Sequence, residues 1–247
     1  MKIAAIAVGL IMLPLAAESA GIVPKVKQRE YVGDVYDYAT CTVRNYHNRA
    51  RDLILADLDN AAMERKFSDI YTSKPIAFIP GCRELFLRPR QGIAIDPDLF
   101  RASLATVLVR KDFGAATFTV FDGVAPLSHR VVESDAQFRT RLDAVHSDQP
   151  RARMKLERDK DLTRVWLSQF GECAARRNPL ASKEWLLAAP GSQDDAAAVS
   201  KLTPDFGACL AAGETLAFPK DVLRGTLAIN YYRLAMAESA VSMGAIK

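Results

Sequence analysis

The sequence predicts a mainly α-helical protein made of two similar, disulfide-closed helical units with a short irregular or β-containing insert between them. Apolar residues recur at helical spacing along most of the chain, four cysteines fall two to each half, and two stretches of sequence resemble each other. With 49% hydrophobic and 25% charged residues among 247, the composition is that of an ordinary globular protein.

The expected boundaries follow changes in composition along the chain. They are a signal peptide at 1–19, a mobile leader at 20–33, a first helical unit at 34–110, a charged connector with a possible short strand at 111–160, a second helical unit at 161–240 and a frayed tail at 241–247.

The first residues have the anatomy of an export signal. Lys2 precedes an apolar run at 3–16, and Ala17 and Ser19 are small residues at the positions that a signal peptidase reads. An uncleaved anchor is the alternative, but the run is short for a membrane span and Pro14 interrupts it. We therefore expect a periplasmic or secreted protein with no transmembrane segment after signal cleavage.

The first unit reads as a series of short helices. One begins at Asp34 or Asp37, and others are predicted at 50–58 and 61–71. Residues 84–95 suit a small hairpin or an irregular loop. Asp96 then caps a further helix with Pro97 at its first position.

The middle of the chain breaks this pattern. Residues 117–121 alternate and are rich in β-branched and aromatic types, which predicts one short strand. Ser134 is a candidate cap for a helix to residue 146. The dense charges at 147–160 are more typical of a solvated helix face or connector than of a binding patch.

The second unit begins with a helix at 162–176, which Asn178 and Pro179 end. Further helices are predicted at 182–189 and at 196–202, the latter capped by Ser192. We expect a break at 204–209, an extended piece at 215–218, and a last long helix from Pro219 or Asp221 through residue 234.

The two similar stretches suggest an internal duplication. Residues 38–110 contain Cys41, Cys82 and the run 99–105, and residues 170–233 contain Cys173, Cys209 and the run 222–228. At one constant spacing, Arg44-Asn45 pairs with Arg177-Asn178 and Leu53-Ile54 with Leu186-Leu187. Chance similarity between helices rich in alanine and leucine is the alternative.

The cysteines predict two disulfides, because an exported protein meets an oxidising compartment. Four cysteines allow three pairings, and the duplication favours Cys41 with Cys82 and Cys173 with Cys209. Either bridge would close a loop of about 40 residues and contribute roughly 3 to 4 kcal/mol through the unfolded chain. A redox or metal role is weaker, since no C-x-x-C spacing occurs.

Several runs in the second copy resemble a duplicated unit of uncharacterised exported proteobacterial proteins. The resemblance rests on Cys173, 177–179, 190–192, Cys209 and the Leu-Arg-Gly-Thr-Leu-Ala run at 223–228. The first copy departs from it at 57–59, where Pro-Gly-Ser would be expected, and at Ala102, which replaces the glycine. The resemblance implies export and duplication and adds no mechanism.

Arg101 and Arg224 occupy the same place in an apolar helix of each copy. An unpaired buried charge is costly, so each must reach water or a partner. The favoured role is structural, with the guanidinium bonded to carbonyls of the irregular segment that follows Cys82 or Cys209. The alternative is a site in which both arginines hold a carboxylate or phosphate.

No catalytic motif is recognised. The three histidines, His47, His129 and His146, fall in unrelated contexts, and no phosphate loop, metal-ligand pattern or cofactor signature occurs. The net charge of +4 is not clustered enough for nucleic-acid binding. The leading hypothesis is a non-enzymatic scaffold or interaction module, whose partner would be another envelope protein or an anionic envelope polymer. The alternatives are an envelope-acting hydrolase with its site between the units and a small-anion binding protein.

Overall fold

The computed structural model describes residues 25–56, 62, 65–67, 82 and 96–244, and these form a mainly helical fold. In this part of the chain we number the long helices in chain order. They are α1 (Lys25–Leu55), α2 (Pro97–Phe113), α3 (Asp135–Asp143), α4 (Asp148–Arg177), α5 (Pro179–Leu187), α6 (Gln193–Ala208) and α7 (Lys220–Gly244).

Four of these helices pack side by side in the order α1, α2, α7, α4. The shorter α5 and α6 pack on each other, and α5 also contacts α2, α4 and α7. The core between them is aliphatic and aromatic, and its largest fully buried side chains are Trp185, Tyr231, Tyr232, Phe67, Phe121, Leu53, Ile54, Leu104 and Leu108. The α2–α7 pair lies at the centre of this row.

Polar side chains begin the helices where the sequence predicts them. Asp96 accepts hydrogen bonds from the backbone N–H groups of Asp98 and Leu99, with Pro97 at the first helical position. Ser134 and Gln137 form a reciprocal capping box at α3. Ser192 accepts from the N–H of Asp195 at α6.

Helix α1 is longer than expected. It starts at Lys25, within the stretch predicted to be a leader, and runs to Leu55 without ending before residue 50. Tyr46 has a non-helical backbone (φ −135°, ψ 42°), so the helix bends there. The separate helices predicted from residue 34 and at 50–58 are therefore two arms of one kinked helix, as far as residue 55.

Two local predictions are wrong. Residues 117–121 form no strand, because Phe118 and Phe121 pack on Phe113 and Tyr231 rather than on a neighbouring strand. Pro204 does not break the chain but lies inside α6. The carbonyl of Ser200, which a proline nitrogen cannot satisfy, belongs to an exposed residue and is open to water.

The insert between the helical parts is irregular from residue 114 to 134 and then helical in α3 and the first part of α4. The extended piece predicted at 215–218 has no regular structure, and α7 continues past residue 234 to Gly244. The signal peptide, most of the helix predicted at 61–71 and the loop at 84–95 lie outside the described residues. Among the helices that are described, none is long and apolar enough to cross a membrane.

Both disulfides are present in the pairing that the duplication favours. Cys41 is bonded to Cys82, and Cys173 is bonded to Cys209. The bridges close loops of 41 and 36 residues, so each ties a long helix to a segment well separated from it in the chain.

Helix α7 packs so closely on α2 and α4 that a glycine is required at each crossing. A Cβ atom added to Gly225 would lie 2.3 Å from the Cβ of Ala102 on α2. A Cβ added to Gly171 on α4 would lie 2.8 Å from the carbonyl oxygen of Thr226 on α7. Both values are far below a van der Waals contact, so these two glycines set the spacing of the three central helices.

Replacing Gly225 by alanine should therefore push α2 and α7 apart. We expect G225A to lower the free energy of unfolding by about 1–3 kcal/mol, as overpacked cores do. Gly207 in α6 has no atom within 4 Å of its added Cβ, and G207A should be neutral or stabilising by up to about 1 kcal/mol. Urea unfolding of the oxidised variants measures both, and equal effects would refute the close-packing argument.

Candidate functional site

Arg224 is buried, and its two terminal nitrogens bind groups of the protein itself, whereas its Nε has no hydrogen-bond partner among the described residues. Its NH1 donates to Asp195 Oδ1 at 2.9 Å, and its NH2 donates to the carbonyls of Leu186, at 3.0 Å, and Ala188. Those carbonyls belong to the C-terminal end of α5, which has no further turn to satisfy them. The guanidinium thus ties α7 to the end of α5 and to the start of α6.

Asp195 is the ion-pair partner of Arg224, and its carboxylate accepts four hydrogen bonds. Besides Arg224, it accepts from Trp185 Nε1 at 2.7 Å, from Gly191 N at 2.8 Å and from Lys220 Nζ at 2.7 Å. Burial opposes ionisation of this carboxyl, but the hydrogen bonds from Lys220, Gly191 and Trp185 outweigh it and lower the Asp195 pKa. We call Asp195 and Arg224 the buried latch.

Arg101 has a related position in the other half of the chain. Its NH2 donates to the carbonyl of Ala56 at 2.9 Å, just after the end of α1. Arg110, near the C-terminal end of α2, donates to the carbonyl of Leu187 at 2.8 Å. Both arginines thus bind a carbonyl at the C-terminal end of a helix, as Arg224 does. For Arg224 these are not the carbonyls expected from the sequence, which lie in the irregular segment after Cys209.

A second polar cluster surrounds His129, which precedes α3. Its Nε2 lies 2.6 Å from Glu172 Oε2, and its Nδ1 lies 3.0 Å from Ser168 Oγ. Ser168 and Glu172 are one turn apart on α4, so a single imidazole bridges them. The side chains of His129 and Glu172 are 15% and 9% exposed.

Ser168, His129 and Glu172 form a continuous chain of hydrogen-bond contacts. Glu172 also accepts from Leu127 N at 3.0 Å and from Arg176 Nε at 2.7 Å. Burial disfavours the carboxylate, but these bonds together with that of His129 lower the Glu172 pKa. In the tautomer in which His129 Nε2 donates to Glu172, Nδ1 is an acceptor that faces Ser168 Oγ. Ser168 Oγ also lies 3.5 Å from Asn230 Oδ1, to which it can donate instead.

Arg176 connects the cluster to the irregular segment. Its NH1 donates to the carbonyls of Phe121 and Val124, and its NH2 donates to the carbonyl of Ala125. Arg233 of α7 likewise donates to the carbonyl of Ser128. Residues 121–128 have no helix or sheet of their own, so these side chains supply hydrogen-bond partners for their backbone, including the carbonyls of the buried Phe121 and Val124.

His47 belongs to a separate group that joins three helices. Its Nε2 lies 2.7 Å from Asp112 Oδ1, and Tyr232 Oη donates to Asp112 Oδ2 at 2.6 Å. Burial, followed by the bond to Asp112, raises the Tyr232 pKa. The phenol therefore stays protonated and serves as a fixed donor between α7 and α2.

Helix α3 and the first part of α4 form a projection that we call the arm (residues 135–163). All buried residues of α4 lie at Phe170 or beyond. The arm is held by arginines: Arg158 lies over the Phe138 ring at 4.5 Å, and Arg151 donates to the carbonyls of Leu142 and Val145. The charge run at 147–160 is thus largely a helix face that is open to solvent.

A groove of about 650 Å³ lies along the arm. Its walls are residues 130–133, α3 and the first part of α4, and it is rich in arginine. The residues that line it include Arg130, Arg141, Arg153 and Arg158, with Val132, Pro150 and Met154 as apolar members.

Sequence reasoning missed both polar clusters. Ser168 and Glu172 carried the only local signal, a spacing of four on one helix, and nothing in the sequence placed His129 beside them. The partner of Arg224 could have been sought, because a charge in an apolar helix needs one, but Asp195 looked like a helix-start residue. Within the described residues, no group of three or more His, Cys, Asp or Glu side chains could hold a metal ion.

Comparisons with protein families, curated proteins and solved structures give no match to this chain. The geometry of the clusters and of the arm is therefore the basis for the proposals below.

The buried latch makes a prediction about stability and pH. Removing one partner of a buried ion pair typically costs about 3–5 kcal/mol, so D195N should lower the free energy of unfolding by that order. Because the Asp195 pKa is lower in the folded state than in the unfolded chain, its contribution is full above about pH 4 and disappears as the pH falls through the folded value.

The control is the neighbouring Asp194, which is exposed. D194N should change the free energy of unfolding by less than about 0.5 kcal/mol. Thermal unfolding from pH 3 to pH 7 should show a smaller acid-induced loss of stability in D195N than in the native chain. Identical pH dependence in the two would contradict the role given to Asp195.

Proposed function

We propose that this protein is an exported, disulfide-stabilised helical interaction module of the cell envelope, built from two similar units. The observation that carries the proposal is the arm, which extends α4 beyond the core and leaves apolar side chains in water. Leu156 is 54% exposed on the arm, and Val131 is 89% exposed beside it. A projecting surface of this kind suits contact with another molecule.

The pattern of burial supports the two similar units. At the spacing that separates Cys41 from Cys173, seven buried residues of α1 coincide with seven buried residues of α4 and α5. The pairs are Tyr38/Phe170, Ala39/Gly171, Thr42/Ala174, Val43/Ala175, Ala50/Ser182, Leu53/Trp185 and Ile54/Leu186. This register is one residue shorter than the one that aligns Leu53 with Leu186.

The helix breaks agree with the same register. The kink of α1 lies at Tyr46, and the C-cap of α4 lies at Asn178, at the spacing that separates Cys41 from Cys173. In the last helix of each unit, Ala102 and Gly225 occupy matching places next to Arg101 and Arg224, and they meet at the α2–α7 crossing. Contact between matching positions is what a pseudo-twofold pair of units would give.

Export is supported by the signal-like start of the sequence and by the two disulfides. Disulfides persist in oxidising compartments such as the periplasm or the extracellular space. All four cysteines are used in them, which leaves no free thiol.

The proposal predicts that contacts with envelope components concentrate on the arm. A photo-crosslinking amino acid in place of Leu156 should capture a specific protein or anionic polymer from the envelope of the native host. The same probe in place of Leu180, which is 49% exposed on α5, is the matched control. Capture from position 180 with none from 156 would contradict the proposal.

A second candidate function is hydrolysis, and the Ser168–His129–Glu172 chain is the observation that favours it. Ser168 Oγ would attack an ester or amide carbonyl while its proton passes to His129 Nδ1. The leaving group would take that proton, and water would then release the acyl group from Ser168. In this chain the carboxylate binds Nε2 and the serine binds Nδ1, the reverse of the Ser-His-Asp arrangement of serine proteases.

The hydrolase hypothesis predicts an acyl-serine at one position. With p-nitrophenyl acetate, the native chain should release nitrophenol faster than S168A by roughly 100-fold or more. S200A is the matched control, because Ser200 is an exposed helical serine that bonds to the carbonyl of Ala196. Equal rates for the native chain, S168A and S200A would exclude Ser168 as the nucleophile.

A further inference from the structure

The segment at 125–134, which we call the strap, runs antiparallel to α4 with an extended backbone. Its N–H at Leu127 is bound by Glu172, and its carbonyl at Glu133 accepts from Arg158 at 3.0 Å. From Glu172 back to Arg158 the helix axis covers about 21 Å. From Leu127 to Glu133 a fully extended chain covers about 20 Å, so an extended strap spans the two contacts that the Glu172 and Arg158 side chains make.

Side chains hold the strap at points between these ends. His129 binds Ser168 and Glu172, and Arg130 forms a two-fold hydrogen-bonded pair with Asp161 at 2.8 and 2.9 Å. The strap has no turn or bend along its length. It is therefore a single extended segment held against a helix.

In the middle of the strap the backbone N–H and C=O groups make no hydrogen bonds within the part of the protein that the structure describes. Throughout the described chain, no intramolecular hydrogen bond reaches the N–H or C=O groups of Arg130, Val131 or Val132. The Val131 residue is 89% exposed, so its environment is solvent on most sides. An extended backbone with open donors and acceptors is a template for pairing with a second strand.

The groove beside this edge has a surplus of positive charge. Arg153 lines it, is exposed and has no ion-pair partner among the described residues. The acidic side chains of the groove are already paired: Glu133 with Arg141, Asp161 with Arg130 and Glu157 with Lys160. Within the described residues, the guanidinium of Arg153 makes no ion pair at contact distance and only attracts Glu157, one turn further along α4, so it is the group that a carboxylate brought into the groove would meet.

We infer that residues 130–132 bind an extended acidic peptide segment of a partner protein by strand addition. The backbone of the ligand pairs with the strap, and its carboxylates lie toward Arg153 in the groove. Because side chains alternate along a strand, the apolar side chains of the ligand lie on its other face. This inference rests on the proposed role as an interaction module and names the partner's chemistry and its binding edge.

The test is a titration of the full chain, with both disulfides formed, against a defined probe. The probe is a fluorescein-labelled peptide of about eight residues that alternates glutamate with valine, followed by fluorescence anisotropy. We expect saturable binding that weakens by about 10-fold or more when alternate backbone nitrogens of the peptide are methylated. Replacing glutamate by lysine in the probe should abolish binding.

Variants of the protein separate the backbone contribution from that of charge. V131P removes one N–H that makes no bond within the fold, so it should retain the native melting temperature and weaken binding about 10-fold. V131A is the matched control and should bind within about 2-fold of the native chain. R153E should weaken binding about 10-fold.

Three results would overturn the inference. They are absence of binding, equal binding of the N-methylated probe, which would show simple attraction between charges, and a dimer of this chain that V131P dissolves, which would make a second copy the occupant of the edge. Crosslinking from position 156 to an envelope component, with no binding of the probe peptide, would leave the interaction module standing and remove the strand-addition site alone.

Discussion

The close approach of α7 to its two neighbours is the constraint on which the architecture depends. Gly225 meets Ala102 on one side of α7, and Gly171 meets Thr226 on the other, at distances that exclude a Cβ. With helix axes so near, the aromatic residues Tyr231 and Tyr232, between one and two turns further along, are fully buried. The position of α7 in turn fixes Arg224 against α5 and Arg233 against the strap, so the polar clusters inherit their geometry from this spacing.

Arginine side chains are recurrent hydrogen-bond donors to backbone carbonyls in this fold. Arg224, Arg110 and Arg176 each bind carbonyls at the end of a helix or in the irregular segment. The planar guanidinium can reach several oxygens at once, which a lysine cannot do in the same geometry. This explains how a long irregular connection can lie on the surface of a helical core: its backbone bonds to side chains of α4 and α7.

The sequence alone predicts the helical class, the caps at Asp96, Ser134 and Ser192, and the pairing of the cysteines that the structure contains. These features depend on local chemistry or on the comparison of the two halves. The strand at 117–121 was predicted wrongly, since Phe118 and Phe121 fit an aromatic cluster as well as a sheet. The contacts of His129 with Ser168 and Glu172 depend on the path of the strap, which no local pattern contains.

The long helix α4 has two kinds of support along its length. Its last third lies in the core beside a disulfide, whereas its first part is held by guanidinium–carboxylate pairs in contact with water. Such pairs contribute little individually and weaken as ionic strength rises. The arm can therefore open as a local unit while the cross-linked body remains folded, and its amide protons would exchange first. A ligand that orders the arm would thus bind with an affinity set partly by the salinity of its surroundings.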